Sequence, residues 1–194
     1  MTHRPLGAAA IAAWRRWVVC AGSLLGVTLA AMASIALHLL RHGHAGDPLK
    51  WEGDDAVRPL SAKGRAQAER LGAHLAKVGF ETDALLTSPK ARARETAELV
   101  GRRLGVKAVV DDRLGEPLTI VAIERILADA GDPRSPVLVG HDPDFSELLA
   151  LLVGATELPM RKGAMARVDL DRPVTPAAGI LRWLLPPDLV PERN

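Results

Sequence analysis

Short apolar runs that each stop at a charged or polar motif, with amphipathic stretches between them, constrain this chain more than any other property. Residues 35–40, Ala84–Thr87, 106–110 and Pro136–Gly140 are runs of four to six residues, the length and character of buried strands. Between them the spacing becomes helical. Ala68, Leu71, Leu75 and Val78 fall on one face after Arg58-Pro59-Leu60-Ser61, with Ser61 placed as N-cap and Gly79 where a C-cap belongs. Ala93, Ala97, Val100 and Leu104 mark a second helix that stops at Gly105. A third runs from about Thr119 to Gly131 and buries Ile120, Ile123, Leu127 and Ala130; Phe145, Leu148, Leu149 and Leu152 mark a fourth. Residues 164–170 and 179–185 then read as two strands with no helix between them, joined by the proline-containing stretch 171–178. Strands alternating with helices build a parallel sheet covered on both faces. The predicted fold is therefore α/β: a three-layer α/β/α sandwich over residues 34–190, mostly parallel, with an antiparallel C-terminal edge.

Open α/β sheets bind ligands outside the carboxyl ends of their strands. Three motifs of this chain lie there. Arg41-His42-Gly43 ends the first run, Ser88-Pro89-Lys90-Ala91-Arg92-Ala93 follows the second, and His141-Asp142-Pro143 follows Pro136–Gly140. Two histidines and two arginines can thus converge. A neutral imidazole is a good nucleophile toward phosphorus, and two guanidinium groups match a phosphate dianion in charge and bidentate geometry better than lysines would. His141, when protonated, would donate to a phosphoryl oxygen where charge develops, and Gly43 would let backbone approach the phosphoryl group closely. Phosphoryl transfer on this set requires no metal and no cofactor.

Rival assignments exist for several of these residues. Arg94 and Arg65 compete with Arg92 as second phosphate ligand, with Arg94 reading as a solvated helix charge. Ser88 reads as a turn or cap residue, given Pro89 after it, and His38 and His44 as bystanders, His38 lining a covered sheet face. A metal site from His42, His44, Asp47 and His141 would have nitrogen and oxygen ligands but would leave Arg41 and Arg92 unexplained. A phosphate-binding module without turnover would need no nucleophile, yet the histidine motif is intact.

The segments LHLLRHGHA, RPLSAKGRAQA, LLTSPKARARETA and VLVGHDPDFSELLALL, in this order, resemble the successive motifs of the histidine phosphatase superfamily, the phosphoglycerate mutase-like proteins. The short length and the RPLS block make the chain most similar to the SixA-type phosphohistidine phosphatases, over residues 34–186 or so. The resemblance implies an α/β/α sandwich, a phosphohistidine intermediate on His42, and a phosphate pocket of Arg41, His42, Arg92 and His141. It implies a substrate that is a phosphorylated protein carrying phosphohistidine or, alternatively, a small phosphomonoester.

Members acting on phosphate esters offer a carboxylic acid to protonate the departing alkoxide. Glu116, Asp47 and Asp55 are the candidates in this chain, and Glu116, between Gly115 and Pro117, is the best placed. His44-Ala45-Gly46-Asp47-Pro48 lacks the polar residues that follow the first histidine in the mutases, so mutase activity is not expected.

A net charge of +2 with acids and bases interspersed, no tyrosine and two phenylalanines argue against a nucleic-acid partner. The single Cys20 excludes an intramolecular disulfide. Residues 17–33 carry no charge and follow Arg15-Arg16. They fit a signal peptide or signal anchor, with Ala31-Met32-Ala33 as cleavage tripeptide, or a leader ahead of a start at Met32. A packed helix is disfavoured, because no face of this segment is polar. The catalytic domain is expected to be cytoplasmic, with anchoring or export through residues 1–33 as the alternative, and a chain beginning at Met32 is expected to fold and work.

Overall fold

The computed structural model describes residues 34–191, and the leader readings fall on residues outside them. Within that span the strands are β1 (Ser34–Arg41), β2 (Ala84–Thr87), β3 (Ala108–Val110), β4 (Pro136–Gly140), β5 (Met165–Asp171) and β6 (Ile180–Leu185). The helices are α1 (Ala62–Lys77), α2 (Ala91–Leu104), α3 (Ile120–Asp129) and α4 (Asp144–Val153). The strands form one sheet in the order β3-β2-β4-β1-β5-β6. β1, β4, β2 and β3 run parallel, and β5 and β6 close the sheet antiparallel.

Strand periodicity sorts the core into two layers. Ile35, Leu37 and Leu39 of β1 pack with Ile123, Ile126, Leu127, Phe145 and Leu149 of α3 and α4. Leu40 faces the other way, toward Leu71, Leu75, Ala93, Ala97 and Val100 of α1 and α2. The α/β/α sandwich with an antiparallel C-terminal edge is what the alternation predicts; Ser61 caps α1 as expected, and Thr119, where the sequence reading starts the third helix, is the N-cap of α3.

Some boundaries differ from the sequence reading. β3 begins at Ala108 rather than 106, because Gly105 ends α2 in the left-handed conformation (φ 71°) and the Val106 N–H closes onto the Gly101 carbonyl. Val78 and Ala130 are C-cap residues and lie exposed, off the apolar stripes to which their spacing assigned them. α2 starts at Ala91, so Pro89 sits before the cap rather than at the first helical position. β1 extends to Arg41, which pairs with Gly140 and thereby carries the histidine motif to the end of β4.

His38 lines the sheet face covered by α1 and α2. Its Nδ1 lies 3.2 Å from the Pro136 carbonyl, and its ring meets Phe80 edge-on at 4.8 Å. Burial pushes its pKa down to about 4. The ring therefore stays neutral in the folded protein while the unfolded chain takes up a proton below its ordinary value of 6.5. Stability should be unaffected by this group above that value and fall on acidification toward pH 4, by up to about 1.4 kcal/mol per pH unit. Urea unfolding of the protein and of His38→Leu at pH 7, 5.5 and 4.5 (chosen to bracket the transition, about one unit apart) tests this. The variant should lose part of the acid sensitivity; parallel pH profiles would contradict it.

Candidate active site

The sheet brings the three motifs together at one end. The His42 N–H donates to the Gly140 carbonyl at 3.0 Å, so β4 sets where His42 stands relative to His141. The two imidazole rings are 5.1 Å apart. Arg92, in the first turn of α2, donates from Nε to His42 Nε2 at 3.3 Å. His42, Arg92 and His141 are all buried. Arg94 is exposed, and Arg65 is exposed and pairs with Glu95 at 3.1 Å, so of these three arginines Arg92 is the one that meets His42.

The tautomer of His42 follows from its neighbour. Nδ1 lies 2.7 Å from the Gly43 carbonyl, an oxygen that can only accept, so Nδ1 carries the proton and Nε2 the lone pair. Burial, reinforced by Arg92 and Arg41, pushes the pKa of His42 down to about 3. The ring is accordingly a neutral base with its free nitrogen turned toward Arg92. His141 is also pushed down to about 3, first by burial and then by His42 and Arg92. It is neutral in this state, and the protonated form considered from sequence requires an anion beside it. His141 Nε2 lies 2.8 Å from Ser88 Oγ, while its buried Nδ1 and Arg41 Nε have no hydrogen-bond partner. Ser88 Oγ also accepts from the Lys90 N–H at 3.3 Å, so this residue positions His141 besides shaping the turn.

Arg41 is anchored rather than free. Its Nη1 donates to the Met160 carbonyl at 2.5 Å and pairs with Asp142 at 3.3 Å. Gly43 has a packing reason to be small. A Cβ there would come within 2.8 Å of the Gly64 carbonyl oxygen, so its small size admits the start of α1. Its N–H is spent on Thr96 Oγ1 at 3.1 Å, and it is thus a packing residue in this state, not a free donor.

Two residues of the site were not singled out as ligands from sequence. Arg58 is buried and donates from Nε to Asp55 Oδ1 at 2.7 Å and from Nη1 to the Ala45 carbonyl at 2.5 Å. Thr96 donates to the Arg92 carbonyl at 2.7 Å, which ties Gly43 to α2. Its i+4 spacing from Arg92 was a usable signal; Arg58, in an irregular segment, had none. Asp55 bridges the two guanidinium groups: Oδ2 is 2.9 Å from Arg92 Nη2, and its backbone carbonyl accepts from Arg92 Nη1 at 2.7 Å. The Arg58 hydrogen bond, with Arg92 beside it, holds this carboxyl below the usual carboxylate range, which disfavours it as a proton donor. Glu116 is exposed at the rim, next to Gly115, whose position packs against Pro89 and Ser88. The structure does not bring it against His42, Arg92 or His141.

Asp47 accepts from the Leu49 N–H at 3.0 Å and caps a short turn, and His44 Nδ1 lies 2.8 Å from Ser61 Oγ. Neither joins His42 and His141, and no group of three or more His, Cys, Asp or Glu side chains among the described residues is placed to hold a metal ion. Among the described residues no helix is long and apolar enough to cross a membrane.

Comparison with known proteins agrees with this geometry. Residues 37–118 match the model of the histidine phosphatase superfamily (branch 1). An uncharacterised protein of Picosynechococcus sp. is 35% identical over 114 residues, 57% of this chain and 68% of that protein. The 8-oxo-(d)GTP phosphatase of Mycolicibacterium smegmatis is 36% identical over 104 residues, 52% of this chain but only 32% of that protein. Among solved structures, the protein histidine phosphatase SixA in complex with tungstate superposes with a TM-score of 0.69 at 26% identity, covering 79% of this chain and 98% of SixA.

Proposed function

From the premise that this chain belongs to the histidine phosphatase superfamily and is a phosphatase, we propose that it hydrolyses phosphohistidine on a protein through a phosphorylated His42. The observation that carries the reading is the pair of buried guanidinium groups, Arg58 and Arg92, converging on the two oxygens of one anion, the Asp55 carboxylate, while Arg92 also meets His42 Nε2. A substrate phosphoryl group takes over the faces that Asp55 holds, and Arg41 Nε and His141 Nδ1, buried without a hydrogen-bond partner, are left to serve as further donors. Nε2 of His42 then attacks phosphorus, the bond to the leaving group breaks, and water releases phosphate from the phosphoramidate. Preorganised donors of this kind stabilise the charge redistributed over the equatorial oxygens.

Leaving-group chemistry supports the substrate class. Asp55 is held ionised by Arg58 and Arg92, and Glu116 stays exposed at the rim. A histidine leaving group departs as a neutral or readily protonated ring and needs less acid help than an alkoxide. The span and identity shared with SixA favour the same reading. The relative that acts on 8-oxo-(d)GTP favours a second one, cleavage of a small phosphoryl compound whose leaving group is itself a stable anion.

A substrate panel decides between them. Phosphohistidine and an activated aryl phosphate should be hydrolysed with kcat/KM about 100-fold or more above glucose 6-phosphate, the difference residing in leaving-group protonation. A nucleotide or sugar phosphate turned over more efficiently than phosphohistidine would install the small-molecule reading, and Glu116→Gln would then show whether that carboxyl supplies the proton.

A further inference from the structure

Beside Arg41 the surface opens into a cleft of about 370 Å³. Lys63 and Gln67 from the start of α1 form one wall, and Arg161 and Lys162 from the loop before β5 form the other. Both walls are fixed to the reaction centre. The Gly163 N–H donates to the carbonyls of Arg41 (3.1 Å) and His42 (2.9 Å), and Gln67 Oε1 accepts from the His44 N–H at 2.9 Å.

The charges of this cleft do not cancel. Arg41 is paired with Asp142 and Arg161 with Asp188. The side chains of Lys63 and Lys162 make no hydrogen bond or ion pair with any described residue. Lys162 is half-buried, and burial together with the guanidinium groups of Arg41, Arg58 and Arg92 pushes its pKa down. Asp47 is the acidic group that acts on Lys162, and one carboxylate does not offset three guanidinium groups, so the ammonium is held at an electrostatic cost that an anionic ligand offsets. Lysine ammonium groups are mobile point charges, suited to phosphoryl or carboxylate oxygens without fixed bidentate geometry.

We propose that this cleft is a second anion-binding subsite, which takes a group of about two negative charges on the leaving part of the substrate, either a further phosphoryl group or a pair of carboxylates. The proposal rests on the reading that His42 attacks a phosphoryl group: the His42 Nε2–P bond forms, the P–N or P–O bond to the leaving part breaks, and that part keeps the electron pair while its anionic group lies against Lys63 and Lys162.

The test compares wild type, Lys162→Ala and the exposed-site variant Lys63→Glu, each as the full chain. The probes are p-nitrophenyl phosphate, inorganic pyrophosphate, and paired phosphohistidine peptides flanked by aspartates or by alanines. The expected result is that the preference for pyrophosphate over p-nitrophenyl phosphate, or for the aspartate over the alanine peptide, falls about tenfold through KM in each variant. Which ratio moves identifies the source of the anion. Ratios that stay within about twofold in both variants, or a wild type with no preference for either charged probe, overturn the subsite. Those outcomes with p-nitrophenyl phosphate still hydrolysed leave the phosphatase reading standing. A wild type that hydrolyses none of the probes removes both.

Discussion

His42→Ala should lower kcat/KM for any phosphoryl substrate by at least about 10⁴-fold and abolish the trapped phosphoenzyme, because the substitution removes the proposed nucleophile. The position is sensitive for a second reason. His42 is buried against the Gly43 carbonyl and Arg92, so alanine also leaves Arg92 Nε without its acceptor. Binding of orthovanadate or tungstate separates the two effects. An alanine variant that still binds the oxyanion but transfers no phosphoryl group has lost the nucleophile alone. Chelators should leave the wild type unaffected, since the proposed reaction runs on nitrogen nucleophile and nitrogen donors. Activity of His42→Ala within about tenfold of wild type, or silencing of wild type by a chelator, would remove the mechanism.

Most of the fold was legible because its signals are local. Strand runs end where charged motifs begin, and caps such as Ser61 and Thr119 need only the chain a few residues away. The boundaries that moved, at Val78, Val106 and Ala130, are helix exits, where side-chain spacing still looks helical but the backbone has begun to turn. The site divides in the same way. His42, Arg92 and His141 sit at strand or helix ends and could be placed by topology. The charge network around them could not. Arg58 and Asp55 come from an irregular segment before α1, and nothing in the spacing of that segment shows that it folds over α2 to meet Arg92. Gly43 illustrates the converse: a glycine beside a candidate nucleophile suggests close approach of ligand, and the structure adds a neighbour the spacing did not reveal, the backbone of α1, which also demands a residue without Cβ.

Arg92→Ala should cost about 10³-fold in kcat/KM, and Arg92→Lys should recover only a small part of it, for reasons of shape rather than charge. The guanidinium of Arg92 is used on every edge: Nε meets His42 Nε2 at 3.3 Å, Nη1 the Asp55 carbonyl at 2.7 Å, and Nη2 the Asp55 carboxylate at 2.9 Å. A single ammonium cannot span these positions, because they lie around a planar fork and Lys has one nitrogen on a flexible stem. Alanine has a further effect. It leaves the Asp55 carboxylate with Arg58 as its remaining partner in the site, so the segment over the pocket loses one of its two cationic anchors. The loss should therefore appear in both kcat and KM, unlike the KM effect expected in the Lys162 cleft. Arg65→Ala and Arg94→Ala serve as comparisons, since Arg65 pairs with Glu95 on the surface and Arg94 is exposed; each should stay within about threefold of wild type. If Arg92→Ala kept activity within about tenfold while Arg65→Ala or Arg94→Ala lost it, the oxyanion fork would have to be rebuilt around a different arginine.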